Sequence, residues 1–96
     1  MAKGYWMFHT TVTDPDGHAK YVERDGEAFA KYGARFLVRG GDFRAVEGTA
    51  RQRHVIIEFE SYAAALACYE SPEYQAAFEF RRNAALTDLV IIQGSA

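Results

Sequence analysis

Alternation of apolar and polar side chains with a period of two predicts most of the β-strands in this chain. In the first segment Trp6 and Phe8 share one face, whereas Tyr5, Met7 and His9 share the other. The strands predicted from such patterns are Gly4–Val12, Arg35–Arg39, Arg53–Glu60 and the buried segment Leu86–Gln93, together with a weaker short strand at Phe43–Glu47. Five strands, one of them short, are therefore expected.

A first helix is predicted between the first two strands, beginning at Asp14-Pro15-Asp16 and closing at Gly33. The first aspartate suits the N-cap, the proline suits the first turn, and the second acid lies at the positive end of the helix dipole. Glycine readily adopts the left-handed conformation that ends many helices. Gly26 in the middle predicts a weak point or kink. The inward stripe is expected to contain the apolar residues Val22, Phe29 and Tyr32.

A second, broken helix is predicted before the last strand. Ser61 suits the N-cap of an alanine-rich segment, and Ser71-Pro72-Glu73 restarts the helix, which is expected to run to about Ala85. The resulting order is strand, helix, strand, short strand, strand, broken helix, strand. This order is typical of a split βαβ sandwich, an α+β fold with helices on one face of an antiparallel sheet.

The sheet face away from the helices is expected to be apolar as well. The alternation places Phe36, Val38, Val55, Ile57 and Phe59 toward the helices. The opposite face then still carries Met7, Leu37, Ile56, Val90 and Ile92. That is too much apolar surface to leave in water, and the chain has no further helix to cover it. A second copy packing sheet to sheet is the simplest cover, so the sequence predicts a homodimer.

Composition narrows the class of protein. The 96 residues suit a single domain, residues 1–96, and 49% hydrophobic content suffices for a core. A net charge of −2 lacks the positive excess that nucleic-acid binding requires. No apolar run approaches the roughly 20 residues of a membrane span, and the single Cys68 cannot form an intrachain disulfide. We therefore expect a cytoplasmic protein that binds neither nucleic acid nor membranes.

Several segments together resemble a known family. They include Gly4-Tyr5-Trp6, Thr13-Asp14-Pro15, Arg35–Gly41 with the sequence R-F-L-V-R-G-G, and Ser71–Tyr74 with the sequence S-P-E-Y. The chain is similar over nearly its whole length to the small bacterial family called domain of unknown function 1330. That resemblance implies a ferredoxin-like fold in the dimeric α/β-barrel superfamily, whose members include cofactor-free monooxygenases, isomerase-like enzymes, haem-dependent enzymes and ligand-sensing domains. A shared fold does not transfer an activity, so whether this chain is an enzyme stays open.

The predicted catalytic site lies on the sheet face away from the helices. With the first strand beside the third and the third beside the second, His9, Arg39 and Glu58 are expected to converge there. They would supply an acid or base, a fork that holds an anion, and a carboxylate that orients the base. The alternative is a cross-strand pair between Glu58 and Arg39 that only neutralises charge at the dimer interface.

Four tyrosines are predicted to contact the substrate, although the core is the favoured role for the three on helices. They are Tyr5, Tyr32, Tyr69 and Tyr74. No metal site is predicted, because His54 and Glu58 are separated by roughly 13 Å along one strand. No cofactor motif is recognised, since Gly40-Gly41 is a turn rather than a phosphate loop. A haem ligand from His9 or His54 stays open as an alternative.

The favoured hypothesis is a dimer that binds a small molecule between sheet and helices. Its activity would be that of a cofactor-free enzyme that transfers protons on a small polar or acidic organic compound. The alternative is a noncatalytic ligand-sensing or interaction module whose barrel interior is filled. An occupied interior with every charge paired would favour the module, whereas a cavity with unpaired polar groups would favour the enzyme.

Overall fold

Four antiparallel strands form one sheet with three helices packed against it, in a computed structural model that describes residues 2–95. The elements are β1 (Gly4–Val12), α1 (Pro15–Lys31), β2 (Arg35–Arg39), β3 (Arg53–Phe59), α2 (Tyr62–Glu70), α3 (Pro72–Arg81) and β4 (Ala85–Gln93). The strand order is β2-β3-β1-β4, and every neighbouring pair is antiparallel. The predicted α+β split βαβ architecture is confirmed. Within residues 2–95, no helix is both long and apolar enough to cross a membrane.

Most element boundaries match the sequence patterns. β1 and β2 have the predicted limits, and Gly33 closes the turn after α1 with a φ of 66°. The Ser61 and Ser71 hydroxyls accept hydrogen bonds from the Ala64 and Tyr74 amides, as expected of N-caps. Serine N-caps are strongly local signals, which is why these two helix starts could be read from the sequence.

Three predictions for the helices and loops are wrong. Phe43–Glu47 is irregular rather than a strand, because all five residues are exposed and bury no face. α3 ends at Arg81 instead of Ala85, since the Ala84 carbonyl accepts hydrogen bonds from the Thr13 and Asp14 amides and ties this turn to the start of α1. α1 continues through Gly26 without a break.

Asp14 occupies the predicted N-cap of α1 but does not act through its side chain. Its carboxylate accepts no hydrogen bond from the first turn of the helix. Pro15 and Asp16 do fill the first turn as expected. The start of α1 is therefore fixed by the proline, by the dipole-matched acid and by the backbone bonds to Ala84.

The core lies between the sheet and the helices, around the fully buried Trp6 of β1. Its indole Nε1 donates a 2.8 Å hydrogen bond to the Ala65 carbonyl of α2, so the one polar atom of the ring is satisfied. Aromatic rings surround the indole, with centroid distances of 4.9 Å to Tyr74 and 5.3 Å to Phe29. This cluster joins β1 to all three helices and so packs the helical layer onto the sheet.

A β-bulge in β2 changes which residues face the helices. Phe36 pairs with Ile57, but Val38 pairs with Ile56 and Arg39 pairs with Val55, so one residue of β2 is left over between Phe36 and Val38. Ile57 is a buried core residue on the helix side. Because side chains alternate across a sheet, Arg39 lies on the helix side with Val55, and Val38 lies on the outer face. The predicted sides of Val38 and Arg39 are therefore reversed.

Candidate functional site

A small cavity opens between the helical layer and the sheet. Its volume is about 40 Å³, and it is partly open to solvent. A cavity of this size holds about three water molecules, so it admits a small molecule or the end of a larger one. Its wall combines aromatic and aliphatic residues with polar side chains, which are Thr10, His18, Tyr21, Asp25, Arg39, Arg53 and Arg81. We call this the helix–sheet cavity.

Three arginines reach the helix–sheet cavity from three different elements. The bulge in β2 turns Arg39 toward it, and the alternation of β3 places Arg53 on the same side. Gly40 makes room for this arrangement, because a Cβ there would collide with the Arg53 guanidinium and because its φ of 68° disfavours other residues. Arg81 enters from the last turn of α3. All four salt bridges between residues 2 and 95 involve other cations.

Arg81 is the most constrained of the three. Only 6% of the residue is exposed, and its guanidinium lies 4.9 to 5.3 Å from the ring centroids of Phe8, Tyr21 and Phe78. One terminal nitrogen donates a 3.1 Å hydrogen bond to the Tyr74 hydroxyl, whereas the buried Nε has no partner in the described part of the chain. Burying a cation without a carboxylate partner costs free energy. A bound anionic ligand often supplies the missing negative charge at such sites.

Within residues 2–95, Asp25 is the one carboxyl group that lines the cavity. It lies between Tyr21 and Phe29 on the buried stripe of α1, and 6% of it is exposed. Burial raises its pKa from 3.8 to about 6, and the positive charge of Arg39 acts in the opposite direction. The group therefore exchanges its proton close to neutral pH, which is the property required of a general acid or base.

His18 and Tyr21 complete the polar wall on α1. Partial burial lowers the pKa of His18, and the charges of Arg53 and Arg81 lower it further, so the imidazole is neutral at pH 7. The Tyr21 hydroxyl lies 2.8 Å from the Tyr74 hydroxyl, and burial raises the pKa of Tyr21 well above its ordinary value. The two pKa shifts share their main cause, because burial favours the neutral form of the Asp25 carboxyl and of the His18 imidazole alike.

The predicted cluster of His9, Arg39 and Glu58 does not form. His9 and Glu58 lie on the outer face of the sheet, whereas the bulge moves Arg39 to the helix side. The two outer residues are also apart, since His9 pairs with His54 and Glu58 pairs with Tyr5 on the neighbouring strand. The predicted pair between Glu58 and Arg39 is wrong for the same reason.

The outer face has its own polar contacts. The Tyr5 hydroxyl donates a 3.2 Å hydrogen bond to the Glu58 carboxylate, and Arg35 lies 4.0 Å from the same group. The His9 and His54 Nδ1 atoms are 2.8 Å apart, so one ring donates to the other. The contact between the two histidines is incomplete, because the buried His54 Nε2 has no hydrogen-bond partner within residues 2–95.

None of the four tyrosines predicted to bind substrate lines the helix–sheet cavity. Tyr5 is on the outer face, and Tyr32 follows α1 at its C-cap. Tyr69 packs against Trp6, and Tyr74 is fully buried beside it. Tyr74 acts on the cavity only indirectly, through its hydrogen bonds to Tyr21 and Arg81.

The sequence contains signals for cavity residues that the predicted site did not include, namely Asp25, Arg53 and Arg81. Asp25 follows Tyr21 by four residues and precedes Phe29 by four, so it is a carboxylate within an apolar helical stripe. Arg53 has the same parity as Val55 in the third strand, which places it on the core side. Arg81 shares a helix face with Tyr74 and follows it by seven residues. A charged residue at a core position is the common signal.

Residues 3–95 match the sequence model of the family described as Domain of unknown function (DUF1330). The chain belongs to this family. No curated protein matches it. Membership confirms the resemblance seen in the sequence motifs and covers the strands, helices and cavity described above.

Solved structures with similar folds have low sequence identity to the chain. The RPA0582 protein of unknown function from Rhodopseudomonas palustris has 18% identity and a TM-score of 0.78, over 99% of this chain and 84% of that one. SnoaB, a cofactor-independent oxygenase from Streptomyces nogalater, has 10% identity and a TM-score of 0.65, over 100% and 96%. A dimeric ferredoxin-like protein of unknown function from Thermobifida fusca has 16% identity and a TM-score of 0.53, over 99% and 92%. These similarities establish a ferredoxin-like fold.

Proposed function

We propose that the protein binds a small acidic organic compound in the helix–sheet cavity and acts on it by proton transfer without a cofactor. The observation that carries this proposal is the buried Arg81, whose Nε lacks a hydrogen-bond partner in the described chain and whose charge lacks a carboxylate partner. In this proposal Arg39 binds the anion, as predicted from the sequence, together with Arg53 and Arg81, which line the same cavity.

The charges around the cavity support an anionic ligand. Three guanidinium groups line it against a single carboxyl group whose pKa of about 6 leaves it partly neutral near that pH. A carboxylate can accept two parallel hydrogen bonds from one guanidinium, a geometry that an ammonium group cannot offer. The apolar walls formed by Phe8, Phe29 and Val55 suit the hydrocarbon part of such a compound.

Thermal stability measured with small carboxylates tests the binding step. A ligand that binds only the folded state stabilises it by about 2.7 kcal/mol at a concentration of 100 Kd. We expect acetate, pyruvate or succinate to raise the Tm, whereas neutral acetamide does not. The Arg53→Met variant should lose most of this effect, while Arg44→Met, which alters an exposed loop residue, should keep it. Equal responses from the two variants would contradict an anion site in this cavity.

The protein is also proposed to form a homodimer through the outer face of its sheet. Large apolar side chains there remain exposed, among them Val90 at 51% and Ile92 at 47%. A face of this kind usually packs against a partner. The Thermobifida fusca protein of similar fold is described as dimeric, which supports the same arrangement here.

The second candidate function is a noncatalytic ligand-sensing module. Binding of a carboxylate without any chemical change to it would favour this alternative over the enzyme.

A further inference from the structure

We propose that the acidic compound is an enolisable oxo acid and that Asp25 removes a proton from the carbon next to its carbonyl group. This inference rests on the anion binding proposed above and names both the substrate class and the proton carrier. In it, Arg39 and Arg53 hold the carboxylate, and Arg81 stabilises the oxygen that becomes negative.

Asp25 is suited to the proton-transfer step by its position. It is the one carboxyl group at the cavity wall, and the middle of a 17-residue helix holds it in place. With 6% of the residue exposed, it is largely shielded from water, which strengthens electrostatic interactions inside the site. A structural aspartate this deeply buried would be expected to form an ion pair, and Asp25 forms none within residues 2–95.

Arg81 is suited to the oxyanion because its side chain is already oriented. Three aromatic rings and the Tyr74 hydroxyl hold the guanidinium of Arg81, a residue that lines the cavity and whose buried Nε has no hydrogen-bond partner within residues 2–95. A donor fixed before the reaction stabilises developing charge without reorganisation. Arg39, in contrast, is exposed at the edge strand and is better placed to capture an incoming carboxylate.

The chemistry needs no further reagent. The bond between carbon and hydrogen breaks, and the proton moves to a carboxylate oxygen of Asp25. The electron pair of that bond forms a carbon–carbon double bond, and the carbonyl π electrons move to the oxygen as an enolate. Return of the proton to carbon restores the oxo acid, so the step balances without oxidant or reductant. In heavy water, the returning proton is replaced by deuterium when Asp25 exchanges with solvent.

The charged groups facing Asp25 predict how the reaction depends on pH. Arg39 and Arg53 approach from the sheet, Arg81 comes from α3, and His18 and Tyr21 lie on α1 itself. Tyr21 stays neutral because burial raises its pKa. Since the pKa of Asp25 is about 6, proton removal should accelerate from pH 5 to pH 7 and then level off.

Deuterium exchange into an oxo acid provides the test. The protein is incubated in heavy water with pyruvate or 2-oxobutyrate, and loss of the C3 hydrogen signal is followed by proton NMR against a sample without protein. We expect exchange with the wild type and at least about a 100-fold loss in Asp25→Asn. Glu23→Gln removes an exposed carboxylate from the same helix and should exchange like the wild type. Stabilisation of each variant by the acid is measured in parallel.

The outcomes separate the two proposals. If neither acid raises the Tm of the wild type, anion binding fails, and the inference falls with it. If the acids bind but no hydrogen exchanges, the inference is overturned while the binding proposal survives. Exchange in Asp25→Asn at the wild-type rate also overturns it. Should Asp25→Asn not fold, a wild-type exchange rate that is flat between pH 5 and pH 7 would overturn the role of Asp25.

Discussion

The buried Asp25 makes the stability of the protein depend on pH in a direction that can be calculated. Folding raises the pKa of this carboxyl group from 3.8 to about 6, because burial disfavours its charged form. The folded protein therefore holds the proton more tightly than the unfolded chain does. The resulting stabilisation is fully present below pH 3.8 and is lost as the pH rises through about 6.

The size of the effect follows from the two pKa values. A rise from 3.8 to about 6 corresponds to roughly 3 kcal/mol, since each tenfold change in proton affinity is worth about 1.4 kcal/mol. Asparagine has nearly the same shape as aspartic acid and never ionises. The stability of Asp25→Asn should therefore not fall in this way as the pH rises. We expect the variant to gain up to about 3 kcal/mol over the wild type at pH 8, relative to their difference at pH 4.

Urea unfolding at fixed protein concentration measures this difference. With a slope of roughly 1–3 kcal/mol per M for a small domain, the midpoints of the two proteins should separate by on the order of 1–3 M between pH 4 and pH 8. Glu23→Gln on the exposed side of the same helix is the control and should follow the wild type at every pH. A gap between Asp25→Asn and the wild type that stays constant with pH would refute the raised pKa of the Asp25 carboxyl.

Three further outcomes are expected. Arg39→Met should raise the pKa of Asp25 further, because the positive charge of Arg39 lowers it; an unchanged carboxyl titration by carbon NMR would show that the two groups are not coupled. Ser71→Ala should cost about 1–2 kcal/mol in urea unfolding, since the buried hydroxyl accepts from the Tyr74 amide and donates to the Cys68 carbonyl. Val90→Asp should yield a folded monomer in analytical ultracentrifugation, and a variant that remains dimeric would place the interface elsewhere.

Local patterns accounted for most of the fold. The limits of β1 and β2 could be predicted because alternation and flanking glycines act over a few residues. The same holds for the serine caps at Ser61 and Ser71. The short strand predicted at Phe43–Glu47 does not form. Alternation alone does not provide a neighbouring strand for its backbone or a core for its apolar face.

The residues that form the candidate site were harder to predict from the sequence than the fold was. Arg39 was singled out as a residue that folding does not explain, and it lines the cavity, but its side of the sheet depends on a bulge set by pairing with β3. One extra residue reverses every side chain that follows it in the strand. The neighbours of Arg39 could therefore not be predicted from the alternation of the strand alone.

By itself the sequence determined the order of the elements, the split βαβ fold and the presence of apolar residues on both faces of the sheet. These depend on periodicity and capping, which are properties of short segments. The tertiary structure decided that Asp25, Arg39, Arg53 and Arg81 surround one cavity. Those residues come from α1, β2, β3 and α3, and only the register of the sheet and the packing of the helices on it bring them together.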